Sequence, residues 1–232
     1  MNKLTVKFTL WETILGWFYM AFQLVILPVI LVFANMLIFR ERLTDTQINF
    51  AYFLVNFLFV IAIFHKSLIA CCKISLAKPW KTISSAIWAF FLYWGMSIFI
   101  SSLILLLYPD FNNVNDAAIQ EMADNNFILT AVGVVLLVPI AEEFFYRGLI
   151  FQGLYRKNRV LAYAVSAIAF CAPHVIGYIG QYGAFHLILC FIQYLPAGIF
   201  LAWAYEKADS IIAPIIMHTL INLIAAGAMF VR

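Results

Sequence analysis

Residues 82–107 read TISSAIWAFFLYWGMSIFISSLILLL, twenty-six positions without a charged side chain. About 20 apolar residues carry a helix across a bilayer. In lipid each backbone N–H and C=O must find its partner within its own segment, which a helix provides. Working outward, six further apolar runs lie at 10–39, 49–64, 127–147, 160–180, 184–204 and 211–231. The first is overlong and is expected to begin as an interfacial stretch around Trp11 and Trp17. The 232-residue chain is 66% apolar and 11% charged, against about 45–50% and about 25% in a soluble domain. Too few polar residues remain to coat a water-soluble core, and the apolar content is far above that of disordered chains. A barrel needs alternating strands of about ten residues, whereas these runs are longer and apolar on every side. The expectation is an all-α polytopic transmembrane bundle of about seven spans.

Fourteen Lys and Arg against eleven Asp and Glu give a net charge of +3, which does not suggest a nucleic-acid partner. Ten of the fourteen fall in alternate connections: 1–9, 65–81, 148–159 and 205–209. Three fall on the other side, and Arg147 lies inside a span. The positive-inside rule then predicts a cytoplasmic N-terminus and an external C-terminus. Val32-Phe33-Ala34 resembles a signal-peptidase site, but the apolar run continues past it, so an uncleaved first helix is expected. Residues 108–126 read as the largest external loop, and 65–81 as an interfacial amphipathic segment. Cys71, Cys72, Cys171 and Cys190 have neither zinc spacing nor a disulfide framework and read as small apolar residues.

Ionisable residues inside spans are costly and each is a candidate for function. Glu12 falls at an expected interface, where an exposed carboxylate is cheap. The C-terminal half holds Glu142, Glu143, Arg147, His174, His186 and His218, with Asn222 nearby. Glu143 and Arg147, four apart, share a helical face and can neutralise one another. Glu142 is turned by about 100° and has no such cation. Pro173 removes a backbone donor just before His174 and predicts a kink. His218 and Asn222 are again four apart on one face. A surplus carboxylate, two imidazoles and an amide on three spans suit peptide-bond hydrolysis. The carboxylate takes a proton from water, a histidine positions that water or protonates the leaving amine, and polar donors hold the oxyanion.

Glu142-Glu143-x-x-x-Arg147, Phe170-x-x-x-His174 and His218-x-x-x-Asn222 resemble the three motifs of the CAAX protease and bacteriocin-processing family, also called Abi. The approach to the third motif, Tyr205 to Pro214, is similar too, and the resemblance covers about residues 127–225. Pro173 departs from the small or aliphatic residue that many members have there. The resemblance implies a glutamate-dependent intramembrane endopeptidase. Glu142 activates water with His174, His218 and Asn222 form the oxyanion site, and Glu143 and Arg147 are structural. No metal or other cofactor is expected, with zinc held by Glu and two His as the alternative. Residues 1–126 are expected to be scaffold helices and 127–232 the motif-bearing helices of one integral-membrane domain. The expected partners are membrane lipids and a peptide or protein substrate. The short chain, with no retention signal, reads as bacterial, in the cytoplasmic membrane, acting in peptide processing or self-immunity. The alternatives are a non-catalytic immunity or partner-binding protein on the same fold and, less well supported, a transporter, whose second matching half is missing.

Depth poses one puzzle. At about 1.5 Å per residue, Glu142 and His174 each fall about 21 Å from the basic side, provided that the fourth helix runs through Gly148 and Gly153. His218 falls only about 12 Å deep unless the connection before it dips into the bundle.

Overall fold

The computed structural model describes residues 4–230; Lys3 and Arg232, part of the charge count, lie outside the described residues. Within them, seven helices are long and apolar enough to cross a membrane: α1 Leu10–Leu37, α2 Asp45–Ala77, α3 Pro79–Leu107, α4 Val114–Tyr155, α5 Arg159–Ile176, α6 Ala184–Ala208 and α7 Ile212–Phe230. The described residues contain no strand, only a single bridge between Ile179 and Tyr182. The protein is an all-α multi-pass membrane bundle.

Local chemistry sets the helix ends. Thr9 and Thr44 open α1 and α2 with capping boxes closed by Glu12 and Gln47. Asn113 and Asn158 cap α4 and α5. Two expected connections prove helical. Residues 65–77 extend α2 to 33 residues, about 50 Å and longer than the hydrocarbon core. Their serines and cysteines turn inward (Ser67, Cys71 and Ser75 are buried) while Lys66 and Lys73 stay exposed. The expected external loop 108–126 is helical from Val114 onward, with Val114 and Ala123 buried and Asp116, Glu121 and Asp124 exposed. That helix bends at Asn126, whose φ of −153° and ψ of 91° are non-helical, before entering the bundle. Conversely, the span expected through residue 180 stops at Ile176, ahead of a loop in which Gly180 adopts φ +88°.

The two ends of the bundle follow the expected alternation. At one end Thr5 meets Asp209, Gln152 donates to the Val6 carbonyl at 2.6 Å, and Arg159 pairs with Glu206 at 2.9 Å. At the other end the Asn112 carbonyl accepts from His186 at 2.9 Å, and Thr46 reaches the Met122 carbonyl. The first end carries the connections rich in lysine and arginine.

Residues 4–9 strap across that end, with Leu4 buried and Phe8 packed against Phe64 and Phe144. Beneath the strap lies the α6–α7 turn. Ser210 and Ile211 are buried, and the Ser210 hydroxyl bonds both Ser75 and the Cys71 carbonyl of α2. The turn is therefore recessed, and α7 starts inside the bundle. This removes the depth mismatch for His218, because α4 also runs unbroken through Gly148 and Gly153. Glu12 differs from its expected interfacial exposure. It is buried, with one oxygen accepting from the Thr9 N–H and the other from Ser67, each at 2.7 Å. All four cysteines are free, and three of them are buried.

Candidate active site

The centre of α4 is where its backbone departs from the α-helix. Two π-helical segments, Gly133–Leu137 and Phe144–Phe151, flank the short turn Val138–Glu143. Such i→i+5 stretches gather at functional sites. The first has a local cause. Pro139 has no N–H to offer the Val134 carbonyl five residues back, and the Val138 N–H goes to Gly133. The Val134 carbonyl is met instead by the Asn222 side chain, which donates to it at 2.6 Å. In the second segment, Ser166 of α5 donates to the Tyr146 carbonyl at 2.9 Å.

Glu143 and Arg147 are both fully buried and pair at 3.1 Å, as their spacing predicts. Arg147 also donates to the Gly198 carbonyl of α6 at 3.3 Å and lies 4.6 Å from the centre of the Phe170 ring. Gly198 permits this approach, since a Cβ there would stand 2.9 Å from the Ala167 Cα of α5. The buried arginine is thus met by one carboxylate, one carbonyl and an aromatic face, while its Nε and Glu143 Oε2 have no partner among the described residues.

The same Glu143 oxygen takes a second donor, the Nδ1–H of His218, at 2.9 Å. Sequence spacing does not reveal this bond, because its partners are 75 residues apart on different helices. It fixes the imidazole: with Nδ1 donating, Nε2 is the nitrogen left to face other groups. The group it faces is Glu142, whose Oε2 is 4.0 Å away. That is too long for a direct hydrogen bond and is a span that one water bridges. The same Glu142 oxygen has no hydrogen-bond partner among the described residues. Glu142 remains 23% accessible while Glu143 is sealed.

His174 sits in the last turn of α5, directly after Pro173. Ala172 keeps helical angles, so Pro173 deletes one rung of the ladder without a sharp kink. His174 Nδ1 bonds the Phe170 carbonyl at 2.8 Å. The Phe170 ring lies between the two imidazoles, with centroids 5.0 Å from His174 and 5.7 Å from His218. Glu142, Glu143, Arg147 and His218 thus form one connected cluster. His174 joins it across Phe170, and Asn222 lies one turn beyond His218, with one of its two amide protons committed to Val134. His186 lies outside the cluster, in the first turn of α6, with Nε2 on the Asn112 carbonyl of the α3–α4 connection. Among the described residues no three of His, Cys, Asp and Glu are grouped as metal ligands.

Residues 124–224, which contain every one of these side chains, match the family described as type II CAAX prenyl endopeptidase, Rce1-like. The motif-bearing segment of the chain is similar to that family. The expected resemblance is borne out over nearly the segment that the three motifs defined. The chain is also 30% identical over 94 residues to the UPF0177 protein YxdF of Lactococcus lactis subsp. lactis (strain IL1403). That match covers 40% of this chain and 46% of the relative, so it spans less than half of the relative's length. No solved structure matches the chain.

Proposed function

We propose that the protein is an intramembrane endopeptidase in which Glu142 activates water against a peptide bond. One observation carries the reading: Glu142 has a free buried oxygen 4.0 Å from a His218 nitrogen whose ring is oriented by Glu143 and, through it, Arg147. A water in that span gives its proton to Glu142 while its oxygen attacks the carbonyl carbon. The C–O bond forms, the C–N bond breaks, and the proton leaves on the amine. Glu143, 2.9 Å from Nδ1, orients the His218 ring so that Nε2 is turned toward the oxyanion. The second amide proton of Asn222 supports the same oxygen. His174, with Nδ1 on a carbonyl, presents Nε2 to hold the water or the leaving group. Glu143 and Arg147 position, and residues 1–126 supply scaffold.

The substrate is a peptide or protein segment reaching the site from the membrane. The family match suggests an anchored C-terminus, and the setting we propose is a bacterial cytoplasmic membrane, with processing of, or immunity to, secreted peptides as the role. The basic end of the bundle supports a cytoplasmic N-terminus. In the zinc-free reading the two Nε2 atoms serve the water and the oxyanion, since each Nδ1 is committed, one to Glu143 and one to a carbonyl.

The test uses the full chain in nanodiscs with membrane-anchored peptides in ¹⁸O-water. The expected result is cleavage, with one ¹⁸O in the new carboxyl terminus. Protection of cells from a secreted peptide by a Glu142→Ala chain as good as by the wild type, with no cleavage product, would establish the non-catalytic immunity role instead.

A further inference from the structure

His174 has a weak hold from its own helix. It stands in the terminal turn of α5, after a proline that has deleted one hydrogen bond, and the helix ends two residues later at Ile176. Such turns fray unless something outside the helix holds them. The one bond that the ring makes, to Phe170, belongs to that same turn.

What holds it from outside is Tyr194 of α6. The phenol ring lies over the imidazole with centroids 4.3 Å apart and planes 32° from parallel. On its other side from the cluster the Tyr194 hydroxyl is the hub of a polar group that the three motifs do not include. It donates to Asp116 Oδ1 at 2.6 Å, accepts from Asn115 Nδ2 at 3.0 Å and lies 3.3 Å from Asn113 Oδ1. Asn113 is also the cap of α4, its Oδ1 accepting the backbone N–H groups of Asn115 and Asp116. Its amide donates to Gln193 at 2.8 Å, and Gln193 donates in turn to Ser101 of α3. One turn before Tyr194, Cys190 is packed with Val114 and Val175 in a small separate core. The phenol hydroxyl is thus pinned by the first turn of α4, and its ring has few rotamers to lose.

We infer that Tyr194 is a positioning residue for His174: its ring clamps the imidazole against Phe170, and its hydroxyl ties that clamp to the first turn of α4 through Asp116, Asn113 and Asn115. The catalytic helix α4 therefore contacts the site twice, directly at Glu142 and, from its other end, through Tyr194. This assignment rests on the proposed reading of His174 as a group that holds water or the leaving amine. A stacked partner that fixes orientation acts on the chemical step and leaves substrate binding alone.

The experiment compares wild type, Tyr194→Phe and Tyr194→Leu, each as the full chain in nanodiscs with ¹³C,¹⁵N-labelled histidine. Turnover of an anchored peptide and the His174 imidazole resonances, assigned by loss in His174→Gln, are both read. Tyr194→Leu is expected to shift the imidazole resonances by removal of the ring current, and to lower kcat at least tenfold with KM within twofold. Tyr194→Phe keeps the ring and cuts the tie. It is expected to retain the ring-current shift, recover most of the kcat lost in Tyr194→Leu, and broaden the His174 signals. Unchanged imidazole resonances in Tyr194→Leu would overturn the clamp, and raised KM at constant kcat would overturn positioning in favour of a substrate-contacting wall. If Tyr194→Leu does not accumulate, Tyr194→Phe decides alone: sharp, unmoved His174 signals together with wild-type kcat overturn the tie to α4. If the wild-type chain cleaves nothing, the proposed peptidase reading fails, while the imidazole resonances still decide whether Tyr194 holds His174.

Discussion

Two carboxylates of this membrane bundle are treated in opposite ways. At the start of α1, Glu12 is buried with both oxygens satisfied, by a backbone N–H of its own capping box and by Ser67 of α2. At the middle of α4, Glu142 has an oxygen with no partner among the described residues and a histidine nitrogen 4.0 Å away. A buried polar group left unmatched costs about 1–3 kcal/mol or more, so folding alone does not favour keeping one. Glu12 joins two helices and stabilises them. Glu142 sits beside the fully buried pair Glu143 and Arg147, and its Oε2 has no partner among the described residues. Glu12 closes on its neighbours, whereas Glu142 keeps an unmatched oxygen beside a histidine nitrogen.

This contrast can be broken at several points. The largest effect on folding is expected at Arg147. Arg147→Ala strands Glu143 in a sealed interior, at a cost of about 3–5 kcal/mol, and should cut the amount of folded protein in the membrane. Normal abundance with turnover lost would instead place Arg147 in the chemistry. Next is Asn222→Leu. It leaves the Val134 carbonyl, already deprived of a donor by Pro139, with no replacement, and should cost about 1–3 kcal/mol in thermal unfolding. An unchanged unfolding midpoint would dissolve that bond. Glu12→Ala removes half of a capping box and should cost about 0.5–2 kcal/mol, with turnover per folded molecule unaltered. A loss of turnover there would erase the distinction between scaffold and site. The smallest effect is expected from strong chelation, which should leave turnover as it is. Loss on stripping and recovery on adding zinc would reassign His174 and His218 as ligands.

Much of this fold is legible in hydropathy, because a span must be apolar along its whole length whatever its neighbours are. Residues 65–77 escaped that reading. His65, Lys66 and Lys73 look like a connection in one dimension, whereas in three they share the outer side of a helix whose serines and cysteines face in. Residues 114–125 escaped it for a similar reason, since Asp116, Glu121 and Asp124 mark an exposed side and not a loop. At the site, the Glu143–Arg147 pair is visible because i and i+4 are neighbours on any helix. The His218–Glu143 bond, the Tyr194–His174 contact and the Arg147–Gly198 bond join different helices, and no spacing encodes them. One hidden contact did have a sequence signal. Pro139 announces an orphaned carbonyl a turn earlier, and a long-range amide such as Asn222 is the kind of group that answers it. The recessed α6–α7 turn, which sets the depth of His218, has its signal in Ser210, a lone hydroxyl between two apolar runs.

The most direct test sets the two carboxylates side by side as amides. Glu142→Gln and Glu12→Gln are purified as full chains in nanodiscs, and each is assayed for thermal unfolding and for cleavage of a membrane-anchored peptide. Glu142→Gln is predicted to unfold no earlier than the wild type and to lose turnover by about 10²–10⁴-fold, the range of a general base. Glu12→Gln is predicted to unfold earlier and to cleave at the wild-type rate per folded molecule. A Glu142→Gln chain that still cleaves at the wild-type rate would contradict the account at its centre.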